Sequence, residues 1–202
     1  MQLAGQAAQG QAVWAVRVAP AALGHPVDIE KIRQAAIEAA HLEGFNRSPQ
    51  DVTLRRLISF ALSPTLKSSF EQIFSPPIMV EAIFAEVADS PEQDVLVRMH
   101  YDGNHHYQTS GVLVAHTDAK REEEAAVWLR QALGPADSLG RAAGACMLAW
   151  RTLTEDKPFS DLTVRGDLPL KANGKVAETA LLDRKASGSV HYRTLSPAAL
   201  TS

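Results

Sequence analysis

IMVEAIFAEV, residues 78–87, is the stretch that decides the fold. It is rich in β-branched and aromatic residues, and apolar side chains fall on both of its alternating faces, which is typical of a strand covered on both sides. Residues 94–101 and 106–116 are two further candidate strands, and Asp102, Gly103 and Asn104 between them supply turn chemistry. The sequence therefore predicts an antiparallel meander around a central strand.

Two helices are predicted ahead of the meander. The first begins with Asp28 as its N-cap, carries apolar residues at three- and four-residue spacing and ends at Gly44. The second begins in the segment SPQD, where Ser48 is the expected cap and Pro49 fits the first helical position.

Pro64 lies inside the second helical pattern and is expected to kink or divide the helix. The apolar stripe resumes beyond it as far as Ile73, and the prolines at 76 and 77 end the pattern. Two adjacent helices thus precede the strands.

Two more helices and a hairpin follow the meander. Residues 120–133 and 138–153 are predicted helices, and residues 176–183 and 189–195 are predicted strands of a hairpin turning at residues 186–188. Helices that interrupt the strands twice can cover each face of a sheet once, so the order predicts a layered α/β/β/α or α/β/α sandwich.

The first 16 residues are a low-charge stretch of mostly Ala, Gln and Gly. We expect them to form an arm that leads into a short strand at residues 13–18. Residues 17–202 are expected to form a single domain, since the length of 202 residues suits one domain with a hydrophobic core.

Composition narrows the class of protein. The chain has 20 Lys and Arg against 23 Asp and Glu, a formal charge of −3, so no global positive field favours nucleic acid. No apolar run approaches the length of a membrane span. The single cysteine, Cys146, cannot form an internal disulfide, which suits a reducing compartment. We therefore expect a cytoplasmic protein that binds neither nucleic acid nor membrane.

No motif in the chain indicates catalysis, a metal or a cofactor. His100, His105, His106 and His116 cluster around the meander, but adjacent strand residues point to opposite faces, and no zinc-type spacing supports the cluster as a site. The chain has no nucleophile elbow and no phosphate loop. Cys146 lies in an apolar helical setting and is expected to be an inert core thiol.

Several segments together resemble bacterial proteasome α-type subunits. They are GHPVDIEKIRQAA (24–36), GFNRSPQDVTLRRL (44–57), VEAIFAEV (80–87), LVRMHYDG (96–103), GVLVAHTDAKREEEA (111–125), SLGRAAGACMLAW (138–150) and VAETALLDR (176–184). The resemblance extends over roughly residues 18–200, and the order of the segments agrees with the predicted helices and strands.

The resemblance implies an α+β fold of the Ntn-hydrolase type, a four-layer α/β/β/α sandwich of antiparallel sheets. It also implies a non-catalytic subunit without cofactor, arranged in a seven-fold ring that stacks on a proteolytic β ring and controls the access of proteins to be degraded. Partners would be other α-type subunits, β-type subunits and an ATPase ring activator. The segment between the first two helices faces neighbouring subunits in this arrangement, so the interface candidates are Gly44, Phe45, Asn46, Arg47 and Ser48.

The sequence also departs from this family. The earliest threonine, Thr53, lies in a helical pattern, so no threonine nucleophile stands ahead of a first strand. The gating tail, the opening strands and the segment whose lysine receives activator tails have no counterpart, through divergence, truncation or a misplaced start codon. We expect an exposed sheet edge as a result. Two alternatives stay open: a stand-alone Ntn-type amidohydrolase, and a degenerate relic that does not assemble.

Overall fold

The computed structural model describes residues 18–48, 52–108, 111–134, 137–162, 171–172, 175–176, 179–186 and 192–196. It is an α+β structure with antiparallel sheets, as predicted. The chain divides into two compact units, residues 1–110 with 181–193, and residues 111–180 with 194–202. The expected arm at residues 1–16 lies outside the described residues.

A four-stranded antiparallel sheet organises the first unit. Its order is β1 (Val18–Gly24), β2 (Val80–Glu86), β3 (Val95–Met99) and β4 (His105–Gln108). The predicted meander is confirmed, and β2 lies between two neighbours. Val80, Ala82 and Phe84 on one face of β2 are buried. Its other face is half-buried rather than fully covered.

Residues 13–17 of the strand expected at 13–18 lie outside the described residues. A strand is found at Val18–Gly24, where it pairs with β2 along its whole length. One predicted boundary is wrong, since the strand expected at residues 106–116 ends at Gln108. Val112 and Val114 carry the alternation that predicted a longer strand, but they pack against the helical core of the second unit instead of joining the ladder.

Helix α1 (Pro26–Asn46) begins and ends elsewhere than predicted. His25 is the N-cap, because its side chain accepts the amide of Val27 at 3.3 Å and Pro26 occupies the first turn, where no amide partner is needed. Asp28 lies within the first turn. Gly44 is buried inside the helix and does not have a positive φ, so it does not serve as a left-handed C-cap.

The second helical stretch runs from Leu54 to Glu71 as α2 (Leu54–Leu57), a π-helical turn (Ile58–Leu62) and α3 (Ser63–Glu71). Thr53, not Ser48, is the N-cap, and Pro49 lies outside the described residues. The expected division near Pro64 is confirmed, since the π-helical turn ends at Leu62 and α3 begins one residue before the proline.

The helix ends at Glu71, so the predicted stripe does not reach Ile73, which is exposed. The buried residues of this stretch and of the sheet form one core with Ile32 of α1: Ala22, Ile32, Leu54, Ile58, Leu62, Leu66, Val80, Ala82, Phe84, Val95, Val97 and Met99. The apolar stripes of the helices and the inner face of the sheet thus meet as their periodicities predict.

The second unit is built on α4 (Ala119–Ala132) and α5 (Leu139–Thr154), within one or two residues of the predicted helices. Ser138 caps α5 through the amide of Arg141. The two helices share a core with Phe159, whose ring lies 5.9 Å from that of Trp128. Within the described residues, no helix is long and apolar enough to cross a membrane.

Cys146 is the clear error of the sequence analysis in this unit. It lies on α5 but on the exposed side of the helix, not in the core. Partial loss of hydration nevertheless raises the pKa of its thiol above the ordinary value. The residue is therefore accessible but is mostly an uncharged thiol near neutral pH.

Two pairs of short strands follow. β5 (Lys171–Ala172) pairs with β6 (Lys175–Val176), and β7 (Thr179–Leu182) pairs with β8 (Tyr192–Leu195). The predicted hairpin is found as the paired strands β7 and β8, and residues 177–178 and 187–191 of its predicted span lie outside the described residues.

Candidate contact surface

The five interface candidates lie where α1 ends. Gly44 is buried, Ser48 is half-buried, and Asn46 and Arg47 are exposed. Phe45 is 85% exposed, an unusual environment for a phenylalanine at a helix end. Of the five candidates, Phe45 and Arg47 therefore offer the most side-chain surface to another molecule.

A shared ion pair joins the end of α1 to α2. The Glu43 carboxylate accepts from Nε of Arg56 at 2.6 Å and lies 3.1 Å from Nε of Arg47. The amide of Arg47 also donates to the Glu43 carbonyl at 3.1 Å and closes the last turn. Glu43 thus links the segment after α1 to the helix that follows it.

Two further apolar side chains are exposed in this region. Leu42, one turn before Phe45 on α1, is 62% exposed, and Phe60, in the π-helical turn, is 74% exposed. The guanidinium carbon of Arg56 lies 5.3 Å from the centroid of the Phe60 ring. We call the four residues that these contacts join, Glu43, Arg47, Arg56 and Phe60, the α1-end surface.

Sequence reasoning missed Phe60 and Arg56 as members of this surface. A signal for Phe60 was present, because this aromatic residue falls outside the apolar stripe of its own helix, between Leu57 and Ala61. No local signal identifies Arg56, because its contact with Glu43 joins residues 13 positions apart and depends on how the two helices pack.

A second exposed apolar segment follows α3. Phe70 and Met79 are about half-exposed, and Ile73 and Phe74 are almost entirely exposed. Ser69 holds the end of the segment, since its hydroxyl accepts the amide of Ile78 at 2.9 Å. The segment 72–79 carries no charged side chain.

The histidines of the meander have separate partners. Nδ1 of His100 lies 2.8 Å from a carboxylate oxygen of Glu81, and the His100 ring contacts that of His106. The His105 ring contacts Tyr107 instead, as strand alternation predicts. In the described ranges, no three His, Cys, Asp or Glu side chains gather in a group that could hold a metal ion.

Thr53 has a structural role. Its hydroxyl accepts the amide of Arg56 at 3.4 Å as the N-cap of α2, and Glu86 on β2 accepts the amide of Leu54 at 3.1 Å. Both interactions satisfy amides at the start of the helix, where intrahelical partners are lacking. In this geometry the Thr53 hydroxyl acts as the cap of the helix.

An open cleft borders α4 in the second unit. Phe159 and Trp128 contribute apolar walls, and Arg121 lies over the Phe159 ring at 5.4 Å. The Arg121 guanidinium also donates to the Lys157 carbonyl at 2.6 Å and to Glu124 at 2.7 Å. These contacts connect the start of α4 to the turn after α5, so Arg121 stabilises the structure of this unit.

No protein-family model matches the chain. The proteasome subunit alpha of Actinosynnema mirum is 43% identical over 89 residues, which are 44% of this chain and 33% of that subunit. The proteasome subunit alpha of Kineococcus radiotolerans is 35% identical over 136 residues, 64% of this chain and 56% of that subunit. That of Renibacterium salmoninarum is 33% identical over 131 residues, again 64% of this chain and 52% of that subunit.

These relatives confirm the resemblance to bacterial proteasome α subunits, at 33–43% identity. The chain spans only about a third to just over half of the length of each of these three relatives.

Proposed function

We propose that this chain is a non-catalytic α-type subunit of a bacterial proteasome core particle. The observation that carries the proposal is the similarity to proteins named proteasome subunit alpha, which extends over 136 residues in the longest of the three matches described. In this role the chain joins other α-type subunits in a seven-fold ring, stacks on the proteolytic β ring and controls the access of proteins to the chamber. An ATPase ring is the proposed activator.

The proposed fold in the assembly is the four-layer α/β/β/α sandwich. The sheet of the first unit supports this, because one of its faces is buried by helices while residues on the other face, such as Ile83 and Leu96, are half-buried. A sheet with two apolar faces requires a cover on each. A second sheet layer would provide the missing cover.

A structural role fits the side chains better than an enzymatic one. Thr53 is engaged as a helix cap, and the raised pKa of Cys146 disfavours the reactive thiolate. We propose the cytoplasm as its compartment, since the chain's one cysteine has no partner for an internal disulfide. The proposed interface residues are Gly44, Phe45, Asn46, Arg47 and Ser48.

Co-expression with the proteasome β-type subunit of the same organism tests the proposal. Size-exclusion chromatography with light scattering should show both chains in one ring-sized complex of several hundred kilodaltons. Strictly monomeric elution of both chains would contradict the proposed function. Intact-mass measurement provides the control for the enzyme alternative, because a cleaved product with a new N-terminal Ser, Thr or Cys would support an amidohydrolase.

A further inference from the structure

We draw no further inference here: the strongest candidate, the uncharged surface segment at residues 72–79 between α3 and β2 with its exposed Ile73 and Phe74, is an unpartnered apolar patch, and nothing among the described residues shows what covers it.

Discussion

Gly103 provides a sharp test of how the meander is held on its helices. It lies in the turn between β3 and β4 with φ +85, a left-handed conformation that glycine adopts readily. Its carbonyl accepts the Ser63 hydroxyl at 2.7 Å, which joins the turn to the start of α3. A Cβ added at this position would lie 2.6 Å from the Ser63 carbonyl oxygen and 3.1 Å from the Lys67 amide nitrogen.

We expect Gly103→Ala to destabilise the first unit strongly. The left-handed backbone costs about 1–2 kcal/mol for a residue with a Cβ. Crowding against the helix backbone adds about 1–3 kcal/mol, because Ser63 cannot rotate its carbonyl away without disturbing its own helix. The total of roughly 2–5 kcal/mol is a large share of a typical stability of about 5–15 kcal/mol.

Urea unfolding followed by circular dichroism measures this loss. Gly134→Ala is the matched control, because its Cβ would meet only the Asp137 carboxylate oxygen at 3.9 Å and its φ is not left-handed. That variant should stay within about 1 kcal/mol of wild type. Gly103→Asn separates the two causes, since Asn tolerates a left-handed φ but still carries a Cβ. A loss below about 1 kcal/mol for Gly103→Ala, or full recovery in Gly103→Asn, would refute the proposed clash with Ser63.

Three further predictions concern single side chains. Tyr107→Phe should raise the free energy of unfolding by about 1 kcal/mol, because the buried hydroxyl has no hydrogen-bond partner among the described residues, and a measured loss would contradict this. Arg121→Lys should lower the free energy of unfolding by about 1–3 kcal/mol, because it removes the planar guanidinium that donates to the Lys157 carbonyl. Arg130→Lys, an exposed change on the same helix, is the control and should have little effect on thermal or urea unfolding. Alkylation of Cys146 by iodoacetamide should accelerate only as pH rises above the ordinary thiol pKa of about 8.5, because the raised pKa keeps the thiol protonated, and a half-maximal rate near pH 7 would contradict it.

Periodicity predicted the interior of most elements because each buried stripe belongs to one regular segment. The core positions Ile32 and Ala40 on α1, and the alternation along β2, follow directly from spacings of 3.6 and 2. The helix starts were less predictable. His25 took the role expected of Asp28, because a histidine nitrogen can also accept an amide and proline already occupied the next position.

The errors in the predicted lengths of strands and helices have physical causes that the sequence alone does not show. Val112 and Val114 alternate as in a strand, but alternation specifies only which side chains share a face and not whether a neighbouring strand exists to pair with. The end of α3 at Glu71 is similar, since Gln72 has an extended backbone while the apolar pattern continues to Ile73. Tertiary contacts decide both boundaries.

The exposed apolar side chains near the end of α1 were only partly predictable from the sequence. Their burial would limit how much free energy they can contribute to binding another protein. Burial of Phe45 and Phe60 would contribute about 3–6 kcal/mol at roughly 1.5–3 kcal/mol each. Association of two proteins costs about 4–15 kcal/mol in lost translational and rotational freedom, so these two rings alone offset at most the low end of this cost. Stable binding through these side chains would therefore require additional contacts.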